Sequence, residues 1–266
     1  MAKEFEGKVV YITGAAKGQG KAIALAFAKE GADIIAFDLG EKLTYPAYND
    51  GSSKDLEALK AEIEALGRKC VTYAGDVRVE ADCKAAVEKG VKELGRIDIL
   101  INNAGTGAVA PAEDITDEQF GNECNIDLFG SFRVARAVAK QAMIPAKYGR
   151  VINIASMYGL VGNKIAGSAP YHAAKGGVVN LTRALAAEWG KYGITVNSIC
   201  PGYFYTDLTR DTLNSDFFQQ NAKTMITMER YGEEGELDSA ALFFASKASS
   251  YVTGTNLAVD GGYTCM

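Results

Sequence analysis

The chain has a single histidine, His172, and only five cysteines, Cys70, Cys83, Cys124, Cys200 and Cys265, with no C-x-x-C pair among them. Without a Cys/His cluster there is no pattern for a transition-metal site, and no metal is expected. An odd number of scattered thiols is no disulfide framework either; it fits reduced, mostly buried cysteines in a cytoplasm. No apolar run approaches the ~18 residues that span a membrane, and the opening MAKEFEGKVV lacks the apolar stretch of a signal peptide. Runs of Lys and Arg are missing as well. With a formal net charge of −5, the chain is a poor candidate for non-specific binding to nucleic acid or to an anionic membrane. No linker, composition shift or internal repeat divides the 266 residues, so one domain, 1–266, is expected. A hydrophobic content of 48% provides for a core of useful size.

The most informative stretch is VVYITGAAKGQGKAIALAFAKEGADIIAFD, from Val9 to Asp38. A β-branched apolar run leads into Gly14, Gly18 and Gly20. Ile23, Ala26 and Phe27 then recur at helical spacing up to a stop at Gly31, and a second apolar run ends at Asp38. Strand, glycine turn, helix, strand and terminal acid make the unit that binds a dinucleotide. Glycine lets the backbone approach a pyrophosphate, and the free N–H groups of a helix N-terminus favour its charge. Asp38 can accept hydrogen bonds from an adenosine ribose. The glycines run G-x-x-x-G-x-G rather than G-x-G-x-x-G, so the turn alone is also compatible with another α/β fold.

Downstream, helical and strand patterns alternate. Leu56, Leu59 and Ile63 mark a helix, Lys69 to Ala74 a strand that delivers Asp76 and Val77, and Ile97 to Ile101 a strand feeding Asn102 to Gly105. Thr116 and Gln119 form a capping box for a long helix through about Ala146. Val151 to Ala155 is a strand ending at Ser156, a helix runs from about Tyr171 to Gly190, and Ile194 to Cys200 is a strand ending in Pro201 and Gly202. This alternation predicts an α/β fold: a single Rossmann-type, doubly wound parallel sheet with helices on both faces. Ligands of such sheets bind at the carboxyl ends of the strands, which gathers the residues just named on one rim.

Beside Ser156 on that rim, Tyr171 and Lys175 stand at i and i+4 in YHAAK, on one helical face. A free tyrosine, with a pKa of about 10, is too weak a base near neutrality. A nearby ammonium, helped by a cationic nicotinamide, lowers that value. Ser156 can then align a substrate oxygen while Tyr171 exchanges a proton with it. His172, one residue on, points elsewhere by about 100° and is expected to be structural.

TGAAKGQG, NNAG, Asn125, Ser156, YHAAK, PGYFYT and the VDGG ending together resemble the short-chain dehydrogenase/reductase family, in order along the whole chain. The Leu39 to Ser53 insert and the lengthened loop between Ser156 and Tyr171 are similar to its carveol-dehydrogenase-like branch. The resemblance implies a catalytic tetrad of Asn125, Ser156, Tyr171 and Lys175, with Asn125 holding a water in the proton relay. It implies NAD as cofactor, cradled by Gly14, Lys17, Gly18, Gln19 and Gly20 and met by Asp38 at the ribose. Asp76 and Val77 would flank the adenine, and Asn103, Ala104 and Gly105 would line the crevice. Lys175, with Tyr171, would bind the nicotinamide ribose, and Pro201, Gly202, Phe204 and Thr206 would enclose the carboxamide end. Asn102 would brace the sheet. Lys17 is the kind of basic residue that accompanies phosphate recognition, and Asp38 opposes it; NAD(H) is expected over NADP(H).

The reaction expected is interconversion of a secondary alcohol and a ketone, with no nucleic-acid or membrane partner, in a homotetramer. Residues 203–232 would form a substrate lid, and Tyr45 and Tyr48 could cover the adenine. Met157, Tyr158, Leu160 and Val161, with Tyr203, Phe204, Leu208, Leu213, Phe217, Phe218, Met225, Ile226 and Met228, suggest a bulky apolar cyclic substrate such as a hydroxysteroid or terpenoid. Asn163, Lys164 and Arg210 keep a polyol or sugar acid open as the alternative. A non-catalytic nucleotide sensor or a carbon–carbon double-bond reductase on the same fold are further alternatives.

Overall fold

The structure, a computed structural model, describes residues 3–40, 53–164, 167–206, 209–221 and 223–266. Tyr45, Tyr48 and Leu208 lie outside the described residues, as does the side chain of Phe217.

Seven parallel strands form one sheet in the order β3-β2-β1-β4-β5-β6-β7. They are β1 Val9–Thr13, β2 Asp33–Asp38, β3 Cys70–Ala74, β4 Ile99–Asn102, β5 Gly149–Ile154, β6 Ile194–Pro201 and β7 Asn256–Val259. The central strands are buried along their whole length. That explains why they read as apolar runs instead of alternating with polar residues. Within β1 the pleat sends Val10 and Ile12 to one face and Val9 and Tyr11 to the other.

Helices cover both faces. On one, α1 (Gly18–Lys29), α2 (Ser53–Ala65) and the later Asp238–Ala245 helix pack Phe27, Leu59 and Phe244 against Ile12 and Ile34. On the other, α3 (Glu80–Leu94) and the run beginning at Asp117 bring Val87, Val134 and Val138 against Tyr11 and Ile35. The sequence motif at Thr116 is a true capping box: Gln119 N–H donates to Thr116 Oγ1 at 3.2 Å, and Thr116 N–H to Gln119 Oε1 at 2.9 Å.

The long helix expected from that cap is continuous in path but not in pitch. It passes through α4 (Asp117–Cys124), a π-helical stretch Asn125–Gly130, α5 (Ser131–Val138), a second π stretch Ala139–Met143 and the short α6 (Ile144–Ala146). Single π turns inside α-helices redirect side chains and cluster at functional sites. α7 (Ala169–Trp189) then leads to β6. Within the segment expected as a substrate lid, 203–232, lie two short helices, α8 (Arg210–Asn214) and α9 (Asp216–Asn221); α10 is the Asp238–Ala245 helix.

β1 lies between β2 and β4, so the chain winds away from it in both directions. Between the carboxyl ends of β1 and β4 a crevice therefore opens, where an open α/β sheet takes its ligand. No helix among the described residues is long and apolar enough to cross a membrane.

Candidate active site

A cavity of ≈ 650 Å³ fills that crevice. Its floor is the β1–α1 turn. Gly14 has φ +62°, and a Cβ there would lie 2.9 Å from Ala104 Cα, so the two loops approach as closely as glycine permits. Asn103 Nδ2 donates to the carbonyls of Thr13 and Gly14, both at 3.0 Å, while Thr13 Oγ1 accepts from Asn103 N and Ala104 N at 3.0 Å. These bonds lock the ends of β1 and β4 together. At the start of α1, Lys17 supplies no capping side chain and the first turn carries no acid. Its N–H groups are thus left to face an anion.

At the adenosine end Asp38 closes β2. One oxygen accepts from Ala16 N–H at 2.9 Å and the other from Leu39 N–H at 2.8 Å. Burial pushes its carboxyl up from the ordinary value, opposed by the N–H groups of Ala16, Leu39 and Gly40. Lys17 is 3.4 Å from Asp55, and Arg78 is bound to Asp76 at 2.5 Å, so both cations in this corner already face carboxylates.

At the other end stand Ser156, Tyr171 and Lys175. Ser156 Oγ accepts from Tyr158 N–H at 3.1 Å and is within hydrogen-bonding reach of the Tyr171 side chain. Lys175 Nζ, buried at 4% exposure, is 5.5 Å from the Tyr171 ring centre and donates to Ile154 O at 3.1 Å. Its third neighbour is the Asp127 carboxylate, 2.9 Å away.

Lys175 lowers the Tyr171 pKa as expected, but among the groups of the chain itself it is outweighed. Burial raises the pKa most, Lys175 lowers it, Asp127 raises it, Ser156 lowers it and Glu123 raises it, for a net increase. Burial of Lys175 works against its charge, but Asp127 and Tyr171 more than compensate, and its pKa is raised.

Most of the residues expected at the site line this one cavity: Gly14, Lys17, Gly18, Gln19, Asp38, Asp76, Val77, Asn103, Ala104, Gly105, Ser156, Tyr171, Lys175, Pro201, Gly202, Phe204 and Thr206. Gly20 does not line it. A side chain there would run into the Gly14 carbonyl, so this glycine serves the packing of α1 on β1. Asn102 braces the sheet, donating to Asn153 Oδ1 at 2.9 Å and Ser131 O at 3.2 Å.

Asn125 is the residue expected to position a water in the proton relay. It does not line the cavity; it begins the π stretch, where its carbonyl accepts from Arg133 Nη1 at 3.3 Å. The helical residue brought to Lys175 is Asp127. The sequence did hold a signal for it: Glu123, Asp127, Gly130 and Val134 share one face at i, i+4, i+7 and i+11, and all four are buried. Thr106, Ile126, Arg78 and Thr209 also line the cavity without having been expected there, and Arg210, expected as a polar partner for a polyol or sugar acid, lines it too.

Of the described apolar residues expected to line a substrate pocket, only Phe204 lines this cavity; most of the others pack together as a core cluster. Met157, Leu213, Phe218, Ile226, Tyr231 and Tyr263 form one buried cluster, with Tyr158, Val161, Tyr203 and Met225 against it. The hydroxyls of Tyr158 and Tyr203 are paired with each other. His172 stacks on Tyr158 at 4.5 Å between ring centres, and its Nδ1 meets Ser168. Leu160, expected as lining, is exposed instead, and Met228, also exposed, lines a smaller pocket with Tyr203 and Phe204. Among the described residues no group of His, Cys, Asp and Glu is placed to hold a metal ion.

Residues 14–264 match the family model described as enoyl-(acyl carrier protein) reductase. The chain is similar to 3-oxoacyl-(acyl-carrier-protein) reductase FabG of Thermotoga maritima, 37% identical over 97% of this chain and 98% of that one. Among solved structures it is similar to carveol dehydrogenase from Mycobacterium avium in complex with NAD (33% identity, TM-score 0.93, covering 99% and 100% of the two chains). It is also similar to gluconate 5-dehydrogenase from Burkholderia cenocepacia J2315 in complex with NADP and tartrate (33% identity, TM-score 0.90, covering 100% and 99%).

Proposed function

The chain belongs to the short-chain dehydrogenase/reductase family, and from that premise we propose that it interconverts a bulky, largely apolar cyclic secondary alcohol and its ketone, using NAD(H). The observation that carries the reaction class is the convergence of Ser156, Tyr171 and Lys175 at one end of a cavity whose other end is a dinucleotide cradle.

When bound, a nicotinamide cofactor supplies or accepts the hydride. The residues of this chain do the rest. The α1 N-terminus and the Gly14 turn receive the pyrophosphate, and Asp38 receives the ribose hydroxyls. Ser156 Oγ orients the substrate oxygen, Tyr171 Oη gives that oxygen a proton or takes one from it, and Lys175 fixes the charge beside Tyr171. Phe204 and Thr206 close the cavity from the β6 side. NAD(H) is favoured over NADP(H) because a carboxylate at the ribose repels a 2′-phosphate, while Lys17 and Arg78 are engaged by acids.

The apolar cluster that begins at Met157, next to Ser156, supports the apolar cyclic substrate, and the segment 203–232 that supplies much of that cluster would act as the lid. A polyol or sugar acid is the second reading, favoured by the likeness to a gluconate dehydrogenase and by Arg210 at the cavity. Cytoplasmic residence belongs to the same proposal, supported by five free thiols.

The test is a ranking of kcat/KM across hydroxysteroids, monoterpene alcohols, sugar alcohols and sugar acids, with Tyr171→Phe as the control. The wild type should act best on the cyclic apolar alcohols. Tyr171→Phe should lose ~10²–10⁴-fold in turnover while still binding cofactor. A polyol or sugar acid leading the ranking overturns the substrate class, and near-normal turnover by Tyr171→Phe overturns the mechanism.

A further inference from the structure

Beside Tyr171 and Lys175 lies a charge that the reaction just described leaves unused. Asp127 is fully buried, with Oδ1 2.9 Å from Lys175 Nζ. The Thr106 N–H donates to its two oxygens at 3.3 and 3.1 Å. Gly105 covers the pair so closely that a Cβ there would be 2.6 Å from Asp127 Oδ1. One turn earlier on the helix, Glu123 is only 1% exposed. Its Oε1 accepts from Ala108 N–H at 3.2 Å, and its Oε2 has no hydrogen-bond partner.

The groups facing Asp127 are Lys175 from α7, the Thr106 amide from the loop after β4, and Glu123 and Cys124 from its own helix. Tyr171 is faced by Lys175, Ser156, Tyr158, Asp127 and Glu123. Lys175 also meets Ile154 O and the Cys200 thiol on β6. In this set a single ammonium serves a carboxylate and a phenol at once. A carboxylate in direct contact takes most of its field, because a close ion pair is nearly neutral seen from a third group.

We propose that Asp127 is a positioning residue that holds the charge of Lys175, keeps the Tyr171 hydroxyl protonated at neutral pH and so poises the site for ketone reduction. The inference rests on the alcohol–ketone reading above and adds the protonation state in which the resting site is held. In reduction the carbonyl carbon gains the hydride, the Tyr171 Oη–H bond breaks, and the carbonyl oxygen takes that proton; solvent then reprotonates the tyrosinate. Oxidation needs the tyrosinate first and is therefore favoured by alkaline pH. Glu123 reinforces the effect once it ionises, since burial and Asp127 push its carboxyl up to about 7.

The experiment has two arms. The first titrates tyrosinate ultraviolet absorbance in the protein without cofactor, with Tyr171→Phe in each background as the baseline. The second measures kcat/KM against pH in both directions. Asp127→Asn should lower the Tyr171 midpoint by about 1–2 pH units and move the rising limb of the oxidation profile with it. At neutral pH, below the midpoint, kcat/KM for oxidation should gain about tenfold. Glu123→Gln, which leaves the Lys175 ion pair intact, should give a smaller shift in the same direction, and it decides the matter where Asp127→Asn does not fold. A midpoint that stays put or moves alkaline overturns the inference. A wild type inactive on every alcohol and ketone of the panel sinks the alcohol–ketone reading instead, while the absorbance arm still reports on the charge arrangement.

Discussion

Glu123 shows how one buried side chain links stability to pH. In the unfolded chain its carboxyl ionises near its ordinary value of 4.5, whereas in the folded protein burial raises it to about 7, with Asp127 adding to the rise and the Ala108 N–H opposing it. The native state therefore prefers the protonated form. Its contribution to stability is fully present below pH 4.5 and is lost as pH rises through 7. Glu123→Gln keeps the neutral shape and an acceptor for Ala108 N–H but cannot ionise. At pH 8 the variant should be more stable than the wild type by about 2–3 kcal/mol, and at pH 4 the two should melt together. Chemical denaturation at both pH values checks this; a variant equal to or weaker than the wild type at pH 8 would mean that Glu123 ionises normally.

At the scale of elements, the βαβ unit from Val9 to Asp38 decides which cofactor is taken. α1 begins without a capping side chain, which leaves its first amides for a pyrophosphate, and β2 ends in a carboxylate held by Ala16 and Leu39 N–H groups. A 2′-phosphate brought to that carboxylate meets like charge in a half-buried corner. Wild type should accordingly prefer NAD(H) in kcat/KM, and Asp38→Asn should narrow the preference by about tenfold or more, the equivalent of ~1.4 kcal/mol. Lys17 works the other way, but its contact with Asp55 already spends part of its charge. A wild-type preference for NADP(H) would show that Lys17 outweighs Asp38.

For the whole molecule, four of the apolar residues left in solvent fall on two parts of the fold. Phe120 and Phe129 are exposed on the helical run that carries Asp127, and Phe243 and Leu257 are exposed on α10 and the edge strand β7. Two separate apolar faces suit two different contacts between copies, as a tetramer of twofold symmetry requires. The proposed homotetramer should therefore give four chain masses in light scattering at micromolar concentration. Phe129→Glu should reduce it to a smaller species without abolishing cofactor binding. A monomeric wild type would remove the proposal.

What the sequence determined by itself is the part written in local pattern: the buried central strands, the glycine turn, the acid at the end of β2 and the Tyr171–Lys175 pair on one helical face. Each depends on residues within a turn or a strand of one another, so periodicity and punctuation suffice. Fold class and the rim of the site follow, because a parallel sheet must place its strand ends together. Only the tertiary structure decided that Asp127, and not Asn125, meets Lys175. Residues two positions apart on a helix point ~200° apart, and which face turns inward depends on how the π-broken run packs beside α7. Likewise the net rise at Tyr171 could not be read from the YHAAK spacing, which contains the lysine that lowers the pKa. The burial and the carboxylates that raise it come from elements far away in the chain.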